Sequence, residues 1–98
     1  MEREQRRIEK IADFFQILST PSRIQILLLL LEREKSVTEL SVEMNVTQSS
    51  ISHQLNLLKK YHLVSCRREG RMIVYQICDK TIEPMLQDIK EYIKRDEI

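Results

Sequence analysis

Apolar residues recur with helical spacing over most of this chain and with alternating spacing only near residues 73–77. Ile8, Ile11, Phe15 and Leu18 fall at i, i+3, i+7 and i+10, one face of a helix over about 2–18. Phe14 and Ile17 add a second stripe beside it. So wide an apolar face exceeds one packing contact and predicts burial against both the chain's own core and a partner. Ser19-Thr20-Pro21 then signals a helix start, with Thr20 as cap and Pro21 in the first turn, where its missing N–H costs nothing. The helix runs from Ser22 to about Arg33. Ile24 and the run from Ile26 to Leu31 make it apolar all round, which predicts the central core helix.

Ser36-Val37-Thr38-Glu39 is a capping box, in which the Ser36 hydroxyl takes the Glu39 N–H and the Glu39 carboxylate reaches back. It predicts a short helix over about 36–44 with Val37, Leu40 and Met44 inward. Asn45-Val46 gives a tight turn, and Thr47 caps a helix over about 48–60 with Ile51, Leu55 and Leu58 inward. Two short helices joined by so short a turn form a helix-turn-helix. Leu63–Arg68 and Arg71–Ile77 are β-favouring runs on either side of Glu69-Gly70, the chain's one glycine, which predicts a hairpin turning there. Ile73, Tyr75 and Ile77 share a face. Finally, Ile82, Met85, Leu86, Ile89 and Ile93 form a helical stripe over about 81–95, with Thr81 as cap and Pro84 in the first turn. The predicted fold is mainly α with a small β-hairpin, a winged helix-turn-helix in the order α-α-α-α-β-β-α. It forms a single domain over 1–98.

Charge changes this picture. The total is nearly neutral, Lys+Arg 16 against Asp+Glu 15, which by itself argues against a nucleic-acid partner. The distribution reverses that argument. Residues 45–76 carry Lys59, Lys60, Arg67, Arg68 and Arg71 against Glu69 alone, while both flanks are slightly acidic. A local basic surface is the footprint of a phosphate-backbone binder, and an Arg-rich hairpin tip after a helix-turn-helix reads as a DNA-contacting wing. Lys59 and Lys60 also suit the negative end of their helix.

Other compositional features mostly exclude. Two cysteines, Cys66 and Cys78, are too few for a disulfide scaffold. The charged start Met1–Arg7 leads into no apolar stretch, so no signal peptide is expected, and the run Ile26–Leu31 is far short of a membrane span. A cytoplasmic location follows as the expectation. Two His, two Cys and scattered carboxylates show no nucleophile–base pair and no metal-ligand spacing, so no catalytic residue, cofactor or metal site is expected.

The residues resemble the ArsR/SmtB family of winged-helix repressors over about 10–78. The resemblance is carried by Leu18-Ser19-Thr20-Pro21-Ser22-Arg23-Ile24-Gln25-Ile26-Leu27, by Ser36-Val37-Thr38-Glu39-Leu40, and by Thr47-Gln48-Ser49-Ser50-Ile51-Ser52-His53-Gln54-Leu55. Leu63-Val64 followed by Arg67-Arg68-Glu69-Gly70-Arg71 completes it. It implies a homodimeric operator-binding repressor that pairs through its first and last helices, with release by an inducer as the usual logic. On that basis the dimer surface is Ile8, Ile11, Phe15, Met85, Ile89, Tyr92 and Ile93. The physical reading agrees on the DNA side: Thr47, Gln48, Ser49, Ser50, Ser52 and His53 lie at the polar start of the second helix of the motif, where base edges are reached. Arg67, Arg68 and Arg71 would meet phosphate or the minor groove. Ser49 and Ser50 also suit plain helix-start chemistry. The partner is a double-stranded, near-palindromic operator, since two copies on a two-fold axis double the reading.

Known metal sites of the family do not carry over. The positions of its Cys-x-Cys pair hold Ser36 and Thr38. At its second site only Asp79 matches, with Thr81, Tyr92 and Arg95 at the other places. A hairpin turning at Glu69-Gly70 sets Cys66 opposite Ile73 and Cys78 opposite Tyr61, too far out of register for a bridge. Cys66 and Cys78 are therefore either small buried hydrophobes or a redox or persulfide sensor. A winged helix used only as a protein-interaction module is the other alternative, and the inducer is unknown.

Overall fold

The computed structural model describes residues 1–78 and 82–95. Eight elements follow in order: α1 (Glu2–Ile17), α2 (Pro21–Glu32), β1 (Lys35–Ser36), α3 (Val37–Met44), α4 (Gln48–Lys60), β2 (Val64–Glu69), β3 (Met72–Ile77) and α5 (Ile82–Lys94). The winged helix-turn-helix is as expected, with one addition. Lys35–Ser36 forms a two-residue strand that pairs antiparallel with β3, so the sheet has three strands in the order β1-β3-β2. Two residues are too few to show alternation, and Ser36 already carried the helix-start signal; it serves as both strand end and N-cap.

The two stripes of α1 separate. Ile17 is buried and Phe14 half-buried against the core, while Ile8, Ile11 and Phe15 stay exposed. After α1 the chain bends by 87° into α2. Pro21 stands in the first turn of α2 as expected, but Thr20 caps with its backbone only: its carbonyl accepts from the Arg23 and Ile24 N–H groups. Ile26, Leu27 and Leu30 of α2 meet Leu40 of α3, Ile51, Leu55 and Leu58 of α4 and Leu86 of α5 in a single core. Burial of this kind is the main favourable term in folding.

The helix-turn-helix is closed by local hydrogen bonds at each end of its two helices. The capping box is complete: Glu39 N–H donates to Ser36 Oγ and Ser36 N–H donates to Glu39 Oε1, both at 3.1 Å. At the end of α3, Asn45 takes the left-handed conformation (φ 55°), and Val46 N–H reaches back to the Ser41 carbonyl. Thr47 Oγ1 accepts the Ser50 N–H at 3.1 Å and so caps α4. Beyond α4, His62 is left-handed (φ 61°). Its N–H donates to the Lys59 carbonyl and the Leu63 N–H to the Leu58 carbonyl, with both leucines in the core.

The hairpin register differs from expectation. Glu69 pairs with Met72, so the two-residue loop is Gly70-Arg71, with Gly70 at φ +61° in the first central position, as a type II′ turn wants. Moving the loop by one residue shifts the pairing by two. Cys66 lies opposite Tyr75 rather than Ile73, and Cys78 N–H bonds the Leu63 carbonyl at 3.0 Å instead of standing opposite Tyr61. The face shared by Ile73, Tyr75 and Ile77 is only partly buried: Tyr75 is in the core, Ile77 half-buried and Ile73 exposed. Val74, on the opposite face between Ser36 of β1 and Arg67 of β2, is buried too. The strand at the middle of a three-stranded sheet is covered on both sides.

Candidate nucleic-acid interface

Helix α4 shows its apolar side to the core through Ile51, Leu55 and Leu58, and its opening turns to solvent. Thr47, Gln48, Ser49, Ser50 and His53 are exposed and Ser52 is half-buried. With Thr47 satisfying the Ser50 N–H, the hydroxyls of Ser49 and Ser50 are not consumed by capping. A shallow groove of about 280 Å³ runs from the start of α3 to the wing, where Thr38, Gln48 and Ser52 meet Arg71 and Met72. The structure therefore brings Gln48 and Ser52 to one surface with Arg71. Such a surface can offer an amide and a hydroxyl to base edges and a guanidinium to the adjoining phosphate.

The three wing arginines are not equivalent. Arg68 and Arg71 are exposed. Arg67 is enclosed by acceptors: Glu34 takes both of its terminal nitrogens, Glu69 takes Nε at 3.2 Å and Nη2 at 2.8 Å, and Gln76 Oε1 lies 3.3 Å from Nη1. The Glu34 contact, then that of Glu69, holds the guanidinium protonated well above its ordinary range, and Arg67 in turn draws the Glu34 carboxyl below its own. Arg67 in this state braces the wing against the α2–β1 connection. Its guanidinium faces these carboxylates while its side chain stays 39% exposed.

Two further ties position the reading surface, and neither has a signal in the sequence pattern. Arg23 donates from Nε to Gln54 Oε1 of α4 at 2.8 Å and from Nη1 to the Ile17 carbonyl at 3.2 Å. Lys35, almost fully buried, is neutralised by Glu43 of α3 at 2.9 Å. Only burial converts such a lysine from a solvated charge into one that must be paired. In the capping box, the Arg33 guanidinium at 2.6 Å, followed by the Ser36 N–H, holds the Glu39 carboxyl below the usual carboxylate range.

Cys66 is half-buried and Cys78 exposed. Cys78 stands beside Leu63, just before β2 and three residues from Cys66, a separation of about 10 Å that no disulfide spans. Lys59 Nζ donates to Cys66 Sγ at 3.2 Å, and this contact raises the Lys59 pKa. Burial raises that of Tyr75, across the strand from Cys66. Among the described residues no three His, Cys, Asp or Glu side chains come together to hold a metal ion. Asp79, the one match to the family's second metal site, and Thr81, the expected cap of the last helix, lie outside the described residues.

On α1 and α5, Phe15 and Tyr92 are 56% and 67% exposed, with Ile8, Ile11, Ile89 and Ile93 also open to solvent. Met85 differs from these: it is half-buried against its own core, with Leu86. Among the described residues no single helix is long and apolar enough to cross a membrane.

Residues 20–65 match the arsR family of bacterial regulatory proteins. The chain is similar to a Synechocystis protein described as a transcriptional repressor SmtB homolog, 31% identical over 88% of this chain and 65% of that one, so it spans about two thirds of that relative's length. It is 38% identical to Rv0081 of Mycobacterium tuberculosis, described as an uncharacterized HTH-type transcriptional regulator, over 86% of this chain and 75% of the other. The crystal structure of Rv0081 superposes with a TM-score of 0.83 over 90% of this chain and 89% of that one. The solution structure of apo-NmtR gives a TM-score of 0.82 at 33% identity, over 93% and 76% of the two chains. With the fold, the capped helix-turn-helix and these likenesses in agreement, the chain belongs to the arsR family of winged helix-turn-helix transcriptional regulators.

Proposed function

We propose that this protein is a homodimeric repressor that binds a near-palindromic duplex operator and is released by an inducer. The observation that carries the reading is the groove in which Gln48 and Ser52 of α4 adjoin Arg71 of the wing. In it, Gln48 addresses adenine edges, Ser49, Ser50, Ser52, His53 and Thr47 contact bases or phosphate, and Arg68 and Arg71 hold phosphate or enter the minor groove. Arg67 stands behind them and fixes the wing through Glu34 and Glu69. The chain acts as one domain, and the exposed stripes of α1 and α5 form the dimer surface, with Met85 at its inner edge. The Synechocystis relative described as a repressor supports the sign of regulation.

The test is duplex selection from a random library followed by titration over a range of salt. The expected result is a preferred sequence and a log–log salt slope that loses about one unit of steepness for Arg71→Ala. A slope near zero, or equal affinity for selected and random duplex, contradicts the reading and favours a protein-interaction module.

A second reading concerns the inducer. The contact of Lys59 with the Cys66 sulfur favours Cys66 over Cys78 as a thiol sensor, at the junction of recognition helix and wing. DNA release by oxidant or polysulfide that survives Cys78→Ser and disappears in Cys66→Ser supports it; release by Zn(II) or Cd(II) alone points to a metal.

A further inference from the structure

One guanidinium holds both the end of α1 and the middle of α4. Arg23 sits in the first turn of α2, just past the 87° bend that follows α1. Its Nη1 donates to the carbonyl of Ile17, the last residue of α1, and its Nε to the side chain of Gln54. The Ile17 carbonyl is one of the acceptors that a helix leaves unsatisfied at its C-terminal end, where the helix dipole also favours a cation. The donors of a guanidinium lie in one rigid plane, so the two acceptors are fixed relative to each other and not merely to Arg23. Gln54 is half-buried, between Ile51 and Leu55 on the recognition helix and within two turns of Gln48. The exposed stripe of α1, Ile8, Ile11 and Phe15, belongs to the same rigid helix whose end Arg23 holds.

We propose that Arg23 is a positioning residue that fixes the orientation of α4 relative to α1, and thereby the distance between the two recognition helices of a dimer. The proposal deepens the dimeric DNA-binding reading and rests on it. Its functional consequence is selectivity for the spacing between half-sites. Contacts made by Gln48, Ser52 and Arg71 give affinity for one half-site; the Ile17–Arg23–Gln54 strut determines whether both half-sites are met together. A change of an ångström in the seating of α4 is enough to cost the second half-site its base contacts, while phosphate contacts adapt.

The experiment uses the full chain and a series of duplexes carrying the selected half-sites at the preferred spacing and at one and two base pairs more or less. Wild type binds the preferred spacing best by a clear margin. Arg23→Met and Gln54→Met each lose about tenfold at the preferred spacing and bind the off-spacing and random duplexes as wild type does, so that the preference flattens. Their combination is no worse than either alone, because both break the same strut. Gln54→Glu keeps an acceptor oxygen and retains the preference. If Arg23→Met does not fold, Gln54→Met alone carries the test, since it removes one end of the strut only. Loss by the same factor on all duplexes, or an undiminished spacing preference in Gln54→Met, overturns the proposal. A wild-type chain that binds no duplex overturns instead the DNA-binding reading beneath it, and the two failures are told apart by the wild-type titration.

Discussion

Between Ser36 and Gln76 each helix terminus has its own hydrogen-bonded closure, and α3 and α4 bury Leu40, Ile51, Leu55 and Leu58, while Val42, Met72 and Ile73 stay exposed. The terminal helices are built otherwise. α1 begins with no side-chain cap, and both α1 and α5 leave a continuous apolar stripe in solvent: Ile8, Ile11 and Phe15 on one, Ile89, Tyr92 and Ile93 on the other. The helix-turn-helix closes its helix ends with hydrogen bonds from within one chain. Each terminal helix exposes an apolar stripe, the kind of surface that a second copy covers in the proposed dimer. In the proposed complex, local hydrogen-bonded order lies where base edges would be met, and exposed apolar surface where the two copies would join.

The largest effect expected falls on the helix-turn-helix. Leu55 is fully buried beneath α4, and Leu55→Ala should cost about 2–5 kcal/mol in urea unfolding. A loss under 1 kcal/mol, read against the same principle, would mean that the recognition helix is not anchored through its apolar side. Next come the terminal helices: Phe15→Glu with Ile93→Glu should give a folded monomer in sedimentation equilibrium and weaken operator binding about 100-fold, because the second half-site is no longer tethered to the first. A double variant that remains dimeric would place the interface elsewhere. Gln48→Ala should cost about 1–3 kcal/mol of operator affinity and relax the base preference at one position, with stability unchanged since Gln48 is exposed.

The smallest effect is on the acid side. Glu39 titrates below its ordinary value because Arg33 and the Ser36 N–H favour its charged form. Its contribution to stability is therefore whole above the unfolded carboxylate range, about pH 4.3, and is lost as pH falls toward the folded value. Arg33→Gln should move the Glu39 carboxyl titration, followed by NMR, up toward that ordinary value. An unmoved titration would show that the ion pair does not form in solution.

Most of the fold was legible because its signals are local. Ser36 with Glu39, Thr47, the apolar spacing of Ile51, Leu55 and Leu58, and Gly70 each speak within a few residues of themselves. What escaped depends on partners distant in sequence. The pairing of Lys35 and Ser36 with Tyr75 and Val74 needs the hairpin to exist first. The two-residue shift in register, which puts Cys66 against Tyr75, came from assigning the turn to Glu69-Gly70 rather than Gly70-Arg71. His62 in a left-handed conformation has no compositional cue, since glycine is the usual residue there. In the candidate site, Arg67, Arg68 and Arg71 look alike as sequence, and only the position of Glu34 thirty-three residues away distinguishes the first. Arg23 was visible as part of a motif, but its bond to Gln54 was not.

The stoichiometry of binding bears most directly on the account, which holds that two reading units pair through their terminal helices. Titration of the selected operator by sedimentation velocity should show two chains on each full site, and a duplex bearing one half-site should bind about 100-fold more weakly. One chain per duplex, with equal affinity for the full and the half site, would contradict it.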